Sequence, residues 1–170
     1  MNAAAPTDNT LLAKLAQVTL AVAGIALVSV AIVEGWQVFA RYVLNNSPSW
    51  TEPVALLSMS TAMMSGAAVG VRSNRHFGFF MLVEHVTPTA RRILQFVQGI
   101  FAAAVGAIFL IAGARLVHES WDFPMAGAPL PQGVVYLPIC IGGALIALFA
   151  IERLFLMRSP SGQQPVASRQ

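Results

Sequence analysis

Four long apolar runs separated by short polar segments dominate the chain. They cover residues 11–33, about 53–71, about 93–116 and about 134–157. Each run has close to the ~20 residues that an α-helix needs to cross about 30 Å of hydrocarbon. A backbone in lipid must satisfy its own hydrogen bonds, so the runs predict transmembrane helices. With their flanks, we expect these helices at about 11–40, 50–71, 91–117 and 132–157.

The composition agrees with a membrane protein. Hydrophobic residues make up 56% of the chain and charged residues 10%, whereas soluble domains carry about 25% charged residues. The predicted fold class is therefore an all-α integral membrane protein. We expect a single membrane domain over residues 1–158 and a disordered cytoplasmic tail, rich in Ser, Gln and Pro, over 159–170. The apolar segment 77–87 is too short to span and is expected to lie in the membrane interface.

The basic residues predict an orientation. If the N-terminus is cytoplasmic, eight of the ten Lys and Arg residues lie on the cytoplasmic side and only Arg41 and Arg115 lie outside. Because basic residues concentrate in cytoplasmic segments, both termini are expected in the cytoplasm. The mild positive charge is then explained by topology and gives no reason to expect a nucleic-acid partner.

Small residues recur at helical spacing within three of the runs, including Gly143 and Ala147 in the fourth. Such stripes let helix backbones approach closely in a membrane, where apolar side chains give no net drive to associate. They either pack the four helices together or dock another protein, and the sequence leaves both open. The residues are Ser58, Ala62, Gly66 and Gly70 in the second run and Gly99, Gly106 and Gly113 in the third.

The segment between the first two predicted helices is rich in polar and aromatic residues. Ser49 and Glu52 have the spacing of a capping box, which would begin the second helix. Glu34 and Arg41 fall on one helical face and are expected to pair. Three aromatic residues suit the membrane interface: Trp36, Tyr42 and Trp50.

Features that carry enzymatic or redox chemistry are not visible in the sequence. No nucleophile–base pair, phosphate loop or paired-carboxylate arrangement stands out, so we do not expect an enzyme. A haem-binding anchor needs axial histidines within its helices, whereas His76 and His85 fall in the connector and His118 at a helix end. Cys140 is the single cysteine and supports neither an intramolecular disulfide nor a metal site.

A series of short motifs resembles a known family. Arg41-Tyr42 is followed by Asn45, Trp50 and Glu52, then by a Gly-Ala-Ala triplet at 66–68, and later by a Pro, a Tyr and a Pro before the last helix. In this order on a four-helix chain, the motifs resemble the small membrane subunit of tripartite ATP-independent periplasmic (TRAP) transporters over about residues 15–157. The remaining members of the series are Arg72, His76, Pro131, Tyr136 and Pro138.

Three positions depart from the family pattern. Pro53 stands where a second Glu is usual, and Phe79 and Phe80 occupy a stretch that often holds an acidic residue. An aromatic residue often follows the Pro near the last helix, but residues 132–133 are Gln and Gly. These departures concern the Glu pair and the acidic residue, not the order of the motifs.

The resemblance implies an accessory subunit of a sodium-driven, binding-protein-dependent transporter for organic acids or similar solutes in the bacterial inner membrane. It implies no cofactor in this chain, with sodium coupling in the large subunit. The implied partners are a large permease subunit, a periplasmic solute-binding protein and membrane lipid. The residues expected at partner contacts are Arg41, Tyr42, Asn45, Trp50, Glu52, Arg72 and His76.

Two alternatives from other classes remain open at this point. A membrane anchor of a redox enzyme would bind haem or quinone. A small four-helix exporter would need an acidic residue within the membrane, and Glu34 is the candidate.

Overall fold

The computed structural model describes residues 11–73 and 88–158, and it describes side chains in these ranges except at 88–92 and 156–158. Helix α1 spans Leu11–Tyr42, α2 Thr51–Arg72, α3 Pro88–Glu119 and α4 Leu137–Arg158. A 3-10 helix over Gln132–Tyr136 leads directly into α4. All four α-helices are long and apolar enough to cross a membrane, so the predicted all-α membrane fold is confirmed. The predicted interfacial segment 77–87 lies outside the described residues.

Prolines mark where α3 and the 3-10 helix begin, and helix lengths show how far α1 and α3 extend. Pro88 is the first residue of α3, a position where a missing backbone N–H costs nothing. Pro131 has an extended backbone and precedes the 3-10 helix. Helices α1 and α3 have 32 residues each, which corresponds to about 48 Å. Both are therefore longer than the hydrocarbon core and extend beyond it.

The helices form an open row in the order α1, α2, α4, α3. Helix α1 packs against α2, α2 packs against α4, and α4 packs most extensively against α3. The 3-10 helix contacts α2, α3 and α4. Helices α1 and α3 are therefore the outer members of the row, and chain order differs from spatial order because α4 inserts between α2 and α3.

Helices α3 and α4 approach each other closely through small residues. A Cβ added at Gly106 would lie 2.6 Å from Ala147 N and 2.9 Å from Gly143 O, and one at Gly113 would lie 2.8 Å from Cys140 N. At Gly99 the nearest atom would be Leu154 Cδ2, at 2.7 Å. The glycines spaced seven apart in α3 thus face α4, and at Gly106 and Gly113 the facing backbone leaves no room for a side chain.

A small apolar core lies where α1, α2 and α4 meet. It consists of Ala16, Met64, Ala68, Ile146 and Phe149, all buried. Only 17% to 28% of each membrane-spanning window is buried within the chain. Most of the apolar helix surface therefore faces outward, toward lipid or a partner protein.

Candidate functional site

Asn45 lies just beyond the end of helix α1. It is the one described non-glycine residue with a positive φ, 53°, and the backbone N–H of Asn46 donates to Ala40 O at 3.1 Å. The bond satisfies a carbonyl group near the helix end, and a residue in the left-handed conformation just beyond a helix, favourably Gly or Asn, commonly ends it. Asn45, which is expected at a partner contact, thus also shapes the backbone of the loop beside the other expected contact residues.

The predicted capping box at the start of α2 is wrong. The N-cap residue is Trp50, and no side chain caps the helix. The Thr51 hydroxyl donates to Pro48 O at 2.8 Å, and the Ser49 hydroxyl donates to Gly127 O at 3.5 Å. Because Ser49 is bonded to a distant loop and lies one residue before the N-cap, it cannot bond the first turn of α2.

The loop between α3 and the 3-10 helix packs against the loop between α1 and α2. It forms a narrow hairpin in which Met125 N donates to Leu130 O at 2.9 Å and Gln132 N donates to Phe123 O at 2.8 Å. Gly127, at its turn, has a φ of +86°, and a Cβ at this position would overlap the backbone oxygen of Ser49. The two loops together form one surface at this end of the row, which we call the outer-end surface.

Four residues expected at partner contacts are exposed on or beside the outer-end surface: Arg41, Tyr42, Trp50 and Glu52. The predicted Glu34–Arg41 ion pair is wrong, since among the described residues the ion pair joins Arg72 to Glu152. Glu34 and Arg41 are two helical turns apart, about 10 Å along the axis, whereas helical ion pairs form at spacings of three or four residues. Both charges are therefore available to a partner.

Arg72 lies at the opposite end of the row and bonds within the chain. Its Nε donates to Glu152 Oε2 at 3.1 Å and its Nη2 donates to Glu152 Oε1 at 3.2 Å. The guanidinium also lies over the Phe149 ring, 5.9 Å from the centroid. Glu152 was not among the sequence candidates, although it is the acidic residue of α4 and Arg72 the basic residue of α2. His76 lies outside the described residues.

The small residues of α2 contrast with those of α3. Ser58, Ala62, Gly66 and Gly70 are all half-buried. A Cβ added at Gly66 would meet nothing within 4 Å, and the same holds for Gly24 and Gly35 in α1. The part of this stripe around Gly66 is therefore not filled by the described chain.

Comparison with known proteins assigns the chain to a family. The family model for the DctQ component of tripartite ATP-independent periplasmic transporters matches residues 30–159. The chain belongs to this family. It is 28% identical over 126 residues to a TRAP transporter small permease protein of Haemophilus influenzae, covering 69% of this chain and 73% of that protein. It is 22% identical over 135 residues to the sialic acid TRAP transporter small permease protein SiaQ of Vibrio cholerae, covering 78% of each.

Membership in the DctQ family decides between the functions that the sequence left open. The protein is a small permease component of a TRAP transporter, in the inner membrane, and not an enzyme. It is neither the anchor of a redox enzyme nor a self-contained exporter. The family implies a complex with a large permease subunit and a binding protein. The match begins within α1, at residue 30, and covers both loops of the outer-end surface.

Proposed function

We propose that this DctQ subunit packs against a separate large permease subunit through the face of α2 that carries Gly66. The observation that carries the proposal is the contrast among glycines: those at 99, 106, 113, 142 and 143 are in close contact within the chain, whereas Gly66 has nothing within 4 Å of an added Cβ. Small residues in membrane helices are used where backbones approach. An unfilled position at Gly66, on a half-buried stripe, fits a helix from the partner.

The complex takes up organic acids or related solutes and is driven by sodium. The resemblance described above supports both statements, and the Vibrio relative is named for sialic acid, a carboxylic acid. In this arrangement the binding protein and the large subunit determine the solute, and the large subunit binds sodium. The DctQ subunit widens the membrane-embedded scaffold.

The outer-end surface contacts the periplasmic binding protein. Arg41 and Glu52 are exposed there without an ion-pair partner in the described chain, and Tyr42 and Trp50 are exposed beside them. Charged residues on such a surface steer a partner and set its orientation. The distribution of Lys and Arg supports a periplasmic position for this surface and a cytoplasmic position for both termini.

Co-purification tests the proposed complex. The chain is expressed from its native operon with a C-terminal affinity tag, extracted in mild detergent, and its partners are identified by mass spectrometry. We expect one large, roughly stoichiometric membrane protein. A chain that purifies alone, or with a haem protein, would contradict the proposed assembly.

Uptake measurements test the outer-end surface. We expect the double variant Arg41→Ala/Glu52→Ala to lower solute uptake by at least about tenfold, since one charge-assisted contact contributes about 1.5–3 kcal/mol. Arg115→Ala is the control, because Arg115 is also exposed and lies at the same end of the row. Wild-type uptake by the double variant, at equal membrane abundance, would remove the docking role.

A further inference from the structure

Charged residues divide unevenly between the two ends of the row. At the end where α1 and α3 begin and α2 and α4 end, the described ranges hold six basic residues and one acidic residue. These are Lys14, Arg72, Arg91, Arg92, Arg153, Arg158 and Glu152. The carboxylate among these described residues is already bonded to Arg72. The remaining positive charge has no counter-charge among the described residues.

Arg153 is the member of this group with a buried hydrogen-bond donor that lacks an acceptor. Its Nη2 is buried and has no hydrogen-bond partner among the described residues. Arg153 follows Phe149 by four residues and Ala150 by three, and both of these are fully buried. Residues at such spacings share a helix face, so the side chain extends from the packed face of α4.

The position of Arg153 along α4 corresponds to the level of lipid headgroups. The apolar span that includes α4 runs over Gln132–Phe155, so Arg153 lies two residues before its end. Long basic side chains near a helix end extend toward the interface. This is true whichever side of the membrane the basic end faces, so the inference depends neither on the proposed orientation nor on the proposed complex.

We propose that Arg153 binds the phosphate of an anionic phospholipid headgroup. The Arg72–Glu152 pair next to it has a structural role. The guanidinium is always charged and its fork of N–H groups matches a phosphate. Basic sites between transmembrane helices are known to hold anionic headgroups. The residue as a whole is half-buried, so part of it remains exposed beside the buried Nη2.

A phospholipid fits this site better than a protein carboxylate for two reasons. Among the described residues the basic end has six basic residues and one acidic residue, an excess of positive charge that attracts anionic headgroups. The helix surface nearby is apolar and open, as at Ile151 and Phe155, which are 45% and 66% exposed. Acyl chains can therefore lie along the same helices whose basic ends hold the headgroup.

Native mass spectrometry of the full-length chain tests the site. The chain is reconstituted in phosphatidylcholine vesicles with about one-fifth phosphatidylglycerol, extracted in mild detergent, and scored for retained lipid. We expect wild type to retain phosphatidylglycerol and Arg153→Gln to retain about tenfold less, the effect of losing one charge-assisted contact. Lys14→Gln is the matched control, because it removes the same charge from an exposed residue at the same end and should retain lipid as wild type does.

Four outcomes would overturn the assignment. These are equal retention by Arg153→Gln and wild type, equal loss in Lys14→Gln, displacement of the lipid from wild type by inorganic phosphate alone, and unchanged lipid with loss of a co-purifying protein in Arg153→Gln.

Helicity by circular dichroism checks folding. If Arg153→Gln does not fold, Arg153→Lys replaces it: this variant keeps the charge without the fork, and we expect weaker retention than in wild type. Equal retention by Arg153→Lys would then contradict the proposal.

Discussion

Arg72, in the last turn of α2, is joined to Glu152 of α4 by two parallel hydrogen bonds of 3.1 and 3.2 Å. The two residues are 80 positions apart in sequence, and their helices are adjacent in the row. The Glu152 side chain is 12% exposed and that of Arg72 is 29% exposed, so water solvates the pair only in part. Arg72, expected at a partner contact, is thus engaged inside the chain.

Removing the carboxylate should destabilise the isolated subunit. We expect Glu152→Ala to lower the free energy of unfolding by about 1–3 kcal/mol, because it leaves a partly buried guanidinium without its acceptor. Unfolding in mixed micelles of increasing SDS content, followed by circular dichroism, measures the change. Glu52→Ala is the control: it removes an exposed carboxylate that forms no ion pair within the described residues, and it should have little effect.

A double-mutant cycle separates the pair from other effects of the substitutions. If the two residues interact directly, Arg72→Ala/Glu152→Ala should lose less stability than the sum of the single variants. Strictly additive losses would show that the hydrogen bonds contribute no net stability.

The glycines of α2 and α3 should respond oppositely to a large side chain. Gly106→Leu should lower the stability of the isolated chain by at least about 2 kcal/mol, because the added atoms meet backbone rather than flexible side chains. Gly66→Leu should change it by less than about 0.5 kcal/mol but reduce recovery of the large subunit in a pull-down.

Each glycine variant serves as the other's control. The same residue is introduced into two membrane helices of the same chain, and only the surroundings differ. A complex that forms normally with Gly66→Leu would place the partner elsewhere on the row, and an isolated chain destabilised by this variant would mean that the α2 face is filled.

The cap of α1 should depend on backbone conformation rather than on the amide side chain. Asn45→Gly should keep wild-type stability, whereas Asn45→Ala should cost about 1 kcal/mol, since Ala is strained in the left-handed region. Unfolding in mixed micelles measures both. If uptake falls equally in the two variants while stability holds, the Asn45 side chain acts on a partner instead.

Cysteine labelling should establish the orientation. In a Cys140→Ala background, a membrane-impermeant maleimide added to intact cells should label Asn46→Cys and should reach Ser73→Cys only after permeabilisation. The two positions lie at opposite ends of α2, and both are exposed. The reverse labelling pattern would contradict the proposed cytoplasmic termini.

The main elements could be predicted from sequence because membrane helices depend on run length and hydropathy, which are local properties. The Gly99, Gly106 and Gly113 repeat predicted a packing stripe, but not that α4 fills it. That knowledge requires the spatial order of the helices, which differs from their order in the chain.

The errors in the candidate site have non-local or geometric causes. The capping box was wrong because the Ser49 hydroxyl bonds to Gly127, 78 residues away. Glu152 was missed because its partner lies on another helix. A pairing rule for polar residues in apolar runs could have found it, since such residues tend to pair with one another. The Glu34–Arg41 pair failed because a shared helix face does not imply contact across two turns.

The open row has a mechanical consequence for the transporter. Four helices packed side by side, at about 10 Å each, form a layer about 40 Å wide and one helix thick rather than a compact bundle. Such a layer, bound along one side to a larger membrane protein, resists tilting and rotation of that protein in the bilayer. Any tilt would require its far edge to displace lipid at a distance from the axis of rotation. In the proposed assembly, the subunit would therefore contribute to transport by holding the large permease level in the bilayer.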